Sequence, residues 1–450
     1  MNVSVIGLGK LGSPMVACFA AKGHRVIGVD VNESFVQKIN AGIAPVIEPG
    51  LQEMLDRSGG RLTATTDVRA AVLASDLTFV IVPTPSDETG GFSLKYALTA
   101  AESVGRALAE KPNFHIVVLT STVLPGGTDG PFRQTLEAAS GKKVTVDFGL
   151  CYSPEFISLG SVIRDFLNPD FLLIGESDPY TGQTLVDFYK TVVDNTPKIA
   201  RMSAVNAELT KIAVNTYVTT KISYANMLAE ICERLPGGDV DQVTQALGMD
   251  TRIGPKYLKG SIGFGGPCFP RDNRALASLA ESLGVGAHIP HATDTVNLAQ
   301  VTRLRELVQS YLPAGGTVGV LGLAYKPHTP VVERAQGLEL AQALLAAGVP
   351  TVVYDPLAMP TAKPFLHGPV RFAESVADCA RSVDVLIVCT AWPEFKELNA
   401  LDLSHFGHKR VVIDCWRMLD PLTVSITAHY VAIGRDLTSQ RVQPSLRKAG

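Results

Sequence analysis

The feature that most constrains the fold is a glycine pattern near the N-terminus, Gly7-Leu8-Gly9-Lys10-Leu11-Gly12. It directly follows an apolar run at residues 3–6, and apolar residues at helical spacing come after it. A turn between a strand and a helix brings backbone N–H groups and the positive helix end to one point, which suits a diphosphate. Asp30, at the end of the next predicted strand, can bind ribose hydroxyls and would repel a 2′-phosphate. We therefore predict a Rossmann domain that binds NAD.

Short apolar runs alternate with helical segments from the N-terminus to about Asp194, and again after about Gly315. Apolar runs of this kind, separated by helices, are typical of a parallel sheet covered on both faces. The sequence therefore predicts an α/β protein with two doubly wound, Rossmann-like domains. The predicted strands are residues 3–7, 25–30, 77–82, 116–120 and 171–174 in the first half, and 317–321, 351–354, 383–389 and 410–414 in the second.

A long helical segment separates the two halves. Residues 203–234 have helical spacing and no proline or glycine until Pro236, which predicts one helix of about 30 residues. Such a helix usually joins domains or forms an oligomer interface, although an ordinary core helix is the alternative. We predict three domains: 1–198, which binds NAD; 199–300, which is helical; and 301–450, which is Rossmann-like. The third lacks the full glycine spacing at Gly319–Gly322, so we expect it to bind another phosphate ligand, such as the nucleotide part of a substrate.

Composition excludes several classes of protein. The 450 residues carry a net charge of −3, which favours neither a nucleic-acid partner nor a membrane surface. The chain begins directly with a strand, so we expect no signal peptide and a cytoplasmic location. Its seven cysteines include no C-x-x-C pair, so we expect no metal site and no disulfide framework. The last ten residues are predicted to form a polar tail.

One cysteine lies in an unusual setting, the segment G-S-I-G-F-G-G-P-C-F-P-R-D from Gly260 to Asp272. Glycines let a backbone approach a ligand closely, and a thiol beside such a loop can act as a nucleophile. A hydride acceptor combined with a thiol that traps an aldehyde would allow an alcohol to be oxidised to the acid. The alternative for Cys268 is a buried structural thiol.

Polar residues elsewhere fit the same chemistry. Thr120 to Thr128 and Ser153 to Phe156 follow predicted strands, where sheets of this type place active-site groups. Lys211 and Asn215 lie four residues apart and share a helix face, which is otherwise a common surface arrangement. Asp272 follows Cys268 by four residues, and could instead cap a helix that starts near Asn273.

The ordered motifs of the chain resemble the UDP-glucose/GDP-mannose dehydrogenase family, most closely its UDP-glucose 6-dehydrogenase branch. The resemblance covers nearly the whole length. It is carried by V-I-G-L-G-K-L-G from Val5, E-P-G-L from Glu48, V-P-T-P-S from Val82, T-S-T-V from Thr120, S-P-E-F from Ser153, A-E-L-T-K-I-A-V-N from Ala207, R-I-G-P-K-Y-L-K-G-S-I-G-F-G-G-P-C-F-P-R-D from Arg252, L-A-Y-K-P from Leu323 and W-P-E-F from Trp392.

The resemblance implies a function and a set of catalytic residues. The reaction would be the NAD-dependent four-electron oxidation of UDP-glucose at C6 to UDP-glucuronate. Cys268 would carry C6 as a thiohemiacetal and then as a thioester. Lys211 and Asn215 would stabilise oxygen charge. The remaining implied groups are Asp272 and Thr122, which would hold and activate a water, and Glu155, which would assist thioester hydrolysis.

The resemblance also implies the binding residues. Arg252 would reach the sugar site of a neighbouring subunit, which implies at least a dimer, and Tyr257 would stack on the base. The implied cofactor contacts are Gly7, Gly9, Lys10, Leu11, Gly12, Asp30, Val82, Thr84, Pro85, Ser121, Thr122 and Arg334. The implied substrate contacts are Glu155, Phe156, Ile157, Lys211, Asn215, Arg252, Tyr257, Lys259, Ser261, Gly263, Phe264, Gly265, Lys326 and Arg417.

Several positions depart from the family pattern. Leu159 stands at a usually acidic position, Phe35 where a basic residue often occurs, and Glu333-Arg334 where the pattern is Arg-Glu. Pro267 replaces a common serine beside Cys268. These departures leave open the same oxidation of another sugar nucleotide, GDP-mannose or a UDP-N-acetylhexosamine. A catalytically silent binding protein is the alternative from a different class.

Overall fold

The structure is a computed structural model that describes residues 1–404 and 409–438. The predicted polar tail lies outside the described residues. The chain forms two compact units, one of residues 1–214 with 278–284 and the other of residues 215–277 with 285–450. The predicted domain boundaries, at 198/199 and 300/301, stay a prediction.

The first unit is built on an eight-stranded sheet in the order β3-β2-β1-β4-β5-β6-β7-β8. Its central strands are mainly apolar and are buried, with helices on both faces, as the sequence predicted. The strands are β1 (Asn2–Ile6), β2 (Arg25–Val29), β3 (Leu62–Thr65), β4 (Leu77–Val80), β5 (Ile116–Leu119), β6 (Gly149–Tyr152), β7 (Phe171–Glu176) and β8 (Lys198–Met202).

One strand pair departs from the predicted parallel sheet. β6 and β7 are antiparallel, with Cys151 opposite Glu176 and Tyr152 opposite Gly175. An antiparallel strand starts at the edge where its predecessor ends, so the chain needs no helix that returns to the opposite edge. The connection contains only a six-residue helix, Val162–Leu167, which suits this short path.

Three of the helices in the first unit begin at a residue whose side chain caps the first turn. Asp178 accepts a hydrogen bond from Thr181 N, and Pro179 occupies the first turn, where its missing N–H costs nothing. The helices are α1 (Gly12–Ala21), α2 (Glu33–Asn40), α3 (Leu51–Arg57), α4 (Val68–Leu73), α5 (Lys95–Glu110), α6 (Arg133–Ser140), α7 (Val162–Leu167) and α8 (Pro179–Lys190), with a π-helical turn at Thr128–Phe132.

The predicted long helix is confirmed as α9 (Ala204–Arg234), which has 31 residues. It begins in the first unit and continues into the second. Buried polar side chains recur along it, among them Glu208, Lys211, Thr219 and Asn226. Three further helices follow: α10 (Val240–Met249), α11 (Phe269–Ser282) and α12 (His288–Tyr311).

The second unit contains a parallel six-stranded sheet in the order β11-β10-β9-β12-β13-β14. The strands are β9 (Val318–Leu321), β10 (Thr351–Tyr354), β11 (Val370–Phe372), β12 (Val385–Val388), β13 (Arg410–Asp414) and β14 (Ala428–Ala432). The helices are α13 (Gln336–Ala346), α14 (Met359–Ala362), α15 (Val376–Arg381), α16 (Ala400–Leu403) and α17 (Pro421–Ser425), with 3₁₀ turns at Lys363–Phe365 and Pro393–Glu397.

The two Rossmann-like sheets and the helices between them confirm the predicted α/β fold class. Across residues 1–404 and 409–438, no helix combines the length and the apolar character needed to cross a membrane.

Candidate active site

The glycine pattern after β1 forms a tight turn into α1. Gly7 has a φ of +106°, and a Cβ added there would lie 2.2 Å from Ile81 O. A Cβ at Gly12 would lie 1.7 Å from Gly7 O, whereas one at Gly9 would meet no heavy atom of the described residues within 4 Å. Gly7 and Gly12 therefore permit the turn, and Gly9 leaves a backbone surface that a ligand can approach.

Asp30 fits a ribose contact beside this turn. It follows β2, and its carboxylate accepts hydrogen bonds from Leu8 N at 2.7 Å and Asn32 N at 2.8 Å. A carboxylate has about four lone-pair positions, so acceptor capacity remains for ribose hydroxyls. Lys10 is exposed and Leu11 half-buried at the start of α1. The residues present therefore fit a dinucleotide, with the diphosphate at the start of α1.

The segments after β4 and β5 are fixed to one another by their predicted cofactor residues. Ser121 Oγ accepts from Val82 N at 2.8 Å and donates to Val82 O at 2.7 Å. Thr84 Oγ1 donates to Thr122 O at 2.7 Å. Pro85 is exposed next to them. The structure thus brings these predicted residues together at one edge of the sheet.

The sequence patterns did not predict a role for Glu208. Its fully buried carboxylate accepts from Gly126 N at 2.6 Å and Thr128 N at 2.7 Å. These contacts attach the loop after β5 to α9. Its position in the sequence could have indicated this role, because Glu208 lies three residues before Lys211 on the same helix face.

Glu155 and Lys211 meet after β6. Lys211 Nζ donates to the Glu155 carbonyl oxygen at 2.5 Å and lies 4.5 Å from the centre of the Phe156 ring. Burial raises the pKa of the Glu155 carboxyl from 4.5 to about 7, although the Lys211 ammonium opposes this shift. A carboxyl with a pKa near neutrality suits proton transfer. Ile157 is half-buried and packs against the main core of this unit.

Cys268 precedes the first residue of α11 and is exposed, whereas the other six cysteines are buried. The Cys268 carbonyl oxygen accepts from Asp272 N at 2.8 Å. The N-terminal end of a helix stabilises a nearby negative charge, and a thiolate is the nucleophilic form of cysteine. The position therefore suits a thiol that attacks a ligand.

Asp272 does not cap a helix at Asn273, because α11 already begins at Phe269. Its carboxylate is fully buried and accepts from Asn215 Nδ2 at 2.6 Å. Arg271 contributes a second contact to the carboxylate at 3.2 Å. The structure thus brings Cys268, Asp272 and Asn215 together at the start of α11.

The glycine-rich loop before Cys268 packs closely against Glu333 and Arg334, where the family pattern has Arg-Glu. A Cβ at Gly265 would lie 2.2 Å from Arg334 O, and Gly266 N donates to Glu333 O at 2.8 Å. Arg334 has a φ of +51°, and its guanidinium lies 3.2 Å from Glu339. A residue larger than glycine at position 265 would therefore clash with the Arg334 backbone.

Arg417 binds the backbone of the predicted substrate-binding loop, residues 259–265. Its guanidinium pairs with both Asp241 oxygens at 2.7 and 2.9 Å, and it also donates to Lys259 O at 2.8 Å and Ile433 O at 2.7 Å. The side chain is 2% exposed. Its main contacts are with the protein, and direct contact with substrate stays a prediction.

The other predicted substrate residues differ in their exposure and in their partners. Arg252 is exposed and pairs with Asp250 at 2.6 Å. Tyr257 is 51% exposed with a φ of +65°. Ser261 Oγ donates to Cys415 O at 2.5 Å, and the half-buried Lys326 lies 5.8 Å from the Tyr325 ring centre.

Leu159 and Phe35, which also depart from the family pattern, both lie in partly buried positions. Leu159 is half-buried, and the carboxylate beside it belongs to Glu48, which accepts from Gly160 N and Val162 N at 2.8 Å. Glu48 thereby caps α7. Phe35 is partly buried against the main core of the first unit.

Comparison with known proteins identifies the family. Residues 1–193, 205–299 and 319–421 match the NAD binding, central and UDP binding domains of the UDP-glucose/GDP-mannose dehydrogenase family. The chain belongs to this family. It is therefore an NAD-dependent sugar-nucleotide dehydrogenase.

Members of the family resemble the chain over most of its length. It is 37% identical to the UDP-glucose 6-dehydrogenase AglM of Haloferax volcanii, over 93% of this chain and 97% of that one. It is 36% identical to the GDP-mannose 6-dehydrogenase of Pseudomonas aeruginosa, over 79% of this chain and 81% of that one. The solved UDP-glucose dehydrogenase of Pyrobaculum islandicum has a TM-score of 0.87 and 36% identity, covering 96% of this chain and 97% of that one.

Replacing the Glu155 carboxyl should change how stability depends on pH. Because the folded-state pKa is raised to about 7, ionisation of Glu155 costs folding free energy as pH rises from 4.5 to 7. Glu155→Gln should therefore stabilise the protein by about 1–3 kcal/mol above pH 7, with an advantage that shrinks as pH falls towards 4.5. Thermal unfolding from pH 5 to 8.5 measures this difference.

The control for this prediction is Glu53→Gln, which removes a similar group from an exposed position on α3. The control should show no advantage that grows with pH. Equal unfolding midpoints for Glu155→Gln and wild type at pH 8.5 would contradict the raised pKa.

Proposed function

We propose that the chain oxidises UDP-glucose at C6 to UDP-glucuronate. This proposal is supported by the position of Cys268, which is an exposed thiol at the start of α11. The buried Asp272 and its partner Asn215 lie beside it. The choice of sugar is supported by coverage, because the UDP-glucose relative matches over 93% of the chain and the GDP-mannose relative over 79%.

The proposed reaction balances as one primary alcohol, two NAD and one water giving one carboxylate, two NADH and three protons. Two NAD molecules, bound one after the other, would each accept one of the two hydrides that leave C6. Gly7, Gly9 and Gly12 would let the diphosphate approach the turn, and Asp30 would hold the adenosine ribose.

Cys268 would link the two oxidations. Loss of the first hydride and the hydroxyl proton would make an aldehyde. The Cys268 thiolate would add to its carbon, and the resulting alkoxide would take up a proton to give a thiohemiacetal. Loss of the second hydride, together with that hydroxyl proton, would convert the thiohemiacetal into a thioester. Lys211 and Asn215 share a helix face and would donate hydrogen bonds to the oxygen on C6 as its charge develops.

Hydrolysis would release the product. Water attacks the thioester carbon, the C–S bond breaks and the Cys268 thiolate leaves. Asp272 and Thr122 would hold and activate water for proton transfer. Glu155, whose pKa lies near 7, would take a proton from the attacking water.

The main alternative is the same oxidation of GDP-mannose, which the 36% identity to a GDP-mannose 6-dehydrogenase supports. The Leu159, Phe35 and Glu333-Arg334 departures also keep other sugars open. A silent binding protein is disfavoured, because all six proposed catalytic residues are present.

A panel of sugar nucleotides separates these functions. We expect two NADH for each UDP-glucose consumed, with a much smaller kcat/KM for GDP-mannose and for UDP-N-acetylhexosamines. NADH absorbance and product mass measure both quantities. Preferred turnover of GDP-mannose would transfer the proposal to that substrate, and no turnover of any sugar nucleotide would refute catalysis.

Replacing the thiol tests its covalent role. Cys268→Ser should abolish formation of the uronate, because a serine ester is a poor substitute for the thioester and serine adds more weakly to the aldehyde. The dissociation constant for NAD, measured by calorimetry, should change by less than about twofold, because the glycine turn and Asp30 supply the proposed NAD contacts. Wild-type uronate production by the variant would refute the role.

We also propose that the chain forms at least a dimer through α9. Tyr217, Tyr224 and Ile231 recur every seven residues on this helix and are 64%, 48% and 46% exposed. Exposed apolar side chains in such a row suit a helix–helix contact. Light scattering should give a mass of at least two chains, which Tyr224→Asp should lower; a single-chain wild-type mass would contradict the proposal.

A further inference from the structure

We propose that Asn226 and Asn297 are positioning residues, whose buried side-chain amides hold the glycine-rich loop of residues 260–266 in the shape that receives the sugar nucleotide. This inference rests on the proposed function of that loop. Neither asparagine belongs to the proposed catalytic set, and the hydrogen bonds of both side-chain amides go to loop backbone.

Asn226 reaches the loop from α9. Its side chain is 1% exposed, its Oδ1 accepts from Ser261 N at 2.8 Å, and its Nδ2 donates to Ile262 O at 2.9 Å. A Cβ at Gly260 would lie 2.8 Å from Ala225 O, which shows how closely the loop approaches the helix. The amide therefore satisfies two backbone groups of the loop where it crosses α9.

Asn297 holds the next part of the loop from α12. Its side chain is 5% exposed, its Oδ1 accepts from Phe264 N at 2.7 Å, and its Nδ2 donates to Phe264 O at 3.0 Å. Bonding to both backbone groups of one residue resembles the pairing of two antiparallel strands. A Cβ at Gly263 would lie 2.6 Å from Asn297 Oδ1, so this contact also requires glycine.

These contacts matter because a glycine-rich backbone has many conformations to lose. The loop has glycine at 260, 263, 265 and 266, and no regular secondary structure is assigned to these residues. Four hydrogen bonds from two amides fix the loop before a ligand arrives, and a preorganised loop binds its ligand with a smaller entropy loss. Weakening them should therefore reduce the affinity for sugar nucleotide more than the rate of the chemical steps.

The position of Asn226 connects this role to the proposed catalytic face of α9. Asn226 follows Asn215 by eleven residues, about three helical turns, so the two side chains lie on one face of the helix. Asn215 contacts Asp272, and Asn226 contacts the loop that leads to Cys268. One helix face thus carries both a proposed catalytic amide and a loop-positioning amide.

The test uses Asn226→Leu and Asn297→Leu in the full-length chain. Loss of two hydrogen bonds should raise KM for the sugar nucleotide about tenfold, with kcat reduced by less than about threefold. The NAD dissociation constant should stay within about twofold of wild type. Hydrogen exchange should speed up at Ser261 N in the first variant and at Phe264 N in the second.

Gln300→Leu is the matched control. Gln300 is a fully buried amide on α12, three residues from Asn297, and it bonds to Glu230, Val296 and Arg303 instead of the loop. The control should leave KM within about twofold of wild type. An unchanged KM in both asparagine variants, or an equal rise in the control, would overturn the proposal.

Asn297→Asp covers the case in which a leucine variant does not fold. It keeps an acceptor for Phe264 N and loses the donor to Phe264 O, so KM should still rise in the folded protein, and circular dichroism checks that the fold is kept. A folded Asn297→Asp protein with wild-type KM and wild-type exchange at Phe264 would also overturn the proposal. Absence of all sugar-nucleotide turnover by the wild-type chain would instead refute the proposed function, and the exchange measurements would still report on the loop.

Discussion

Buried polar groups need hydrogen-bond partners, and α9 places a row of them on one face. Within the first unit, Glu208 binds the loop after β5 and Lys211 binds the segment after β6. Within the second unit, Asn215 binds Asp272 and Asn226 binds the glycine-rich loop. Satisfying these groups therefore fixes irregular segments within each unit, and those segments carry proposed catalytic residues.

The two Rossmann-like sheets have a similar glycine turn after their first strand. Gly322 has a φ of +98°, and a Cβ at Gly337 would lie 2.0 Å from Gly322 O, which repeats the packing of Gly12 on Gly7. The sequence did not reveal this likeness, because fourteen residues lie between Gly322 and Gly337.

The carboxylate at the end of β10, which corresponds to Asp30, has more hydrogen-bond partners within the protein. Asp355 accepts hydrogen bonds from five donors: Leu323 N, Ala324 N, Leu357 N, Ala358 N and Trp392 Nε1. A fully bonded carboxylate offers little to a ribose, consistent with a second sheet that lacks the dinucleotide pattern.

Sequence patterns predicted the buried strands well and the outer strands poorly. The nine predicted strands all exist, whereas β3, β6, β8, β11 and β14 were missed. Four of these five lie at sheet edges. An edge strand has one bonded neighbour and more solvent contact, so its side chains are mixed and its apolar signal is weak. β8 illustrates this, with every residue of Lys198–Met202 at least partly exposed. The fifth, β6, has four residues and begins with glycine, which gives a short signal.

Residue types and motifs predicted the candidate site, but the ion-pair partners of its arginines could not be predicted from them. These partners determine what each arginine can do. Arg417 and Arg252 were both expected to meet substrate from their motifs. Arg417 is 2% exposed and shared among Asp241 and two carbonyl oxygens, whereas the Arg252 side chain is 86% exposed and pairs with Asp250 only two residues away. An exposed pair is worth little and releases its arginine readily, while breaking a buried pair leaves an uncompensated charge. Arg252 is therefore the arginine that can move to a ligand, and Arg417 is the one that keeps the Lys259 backbone in place.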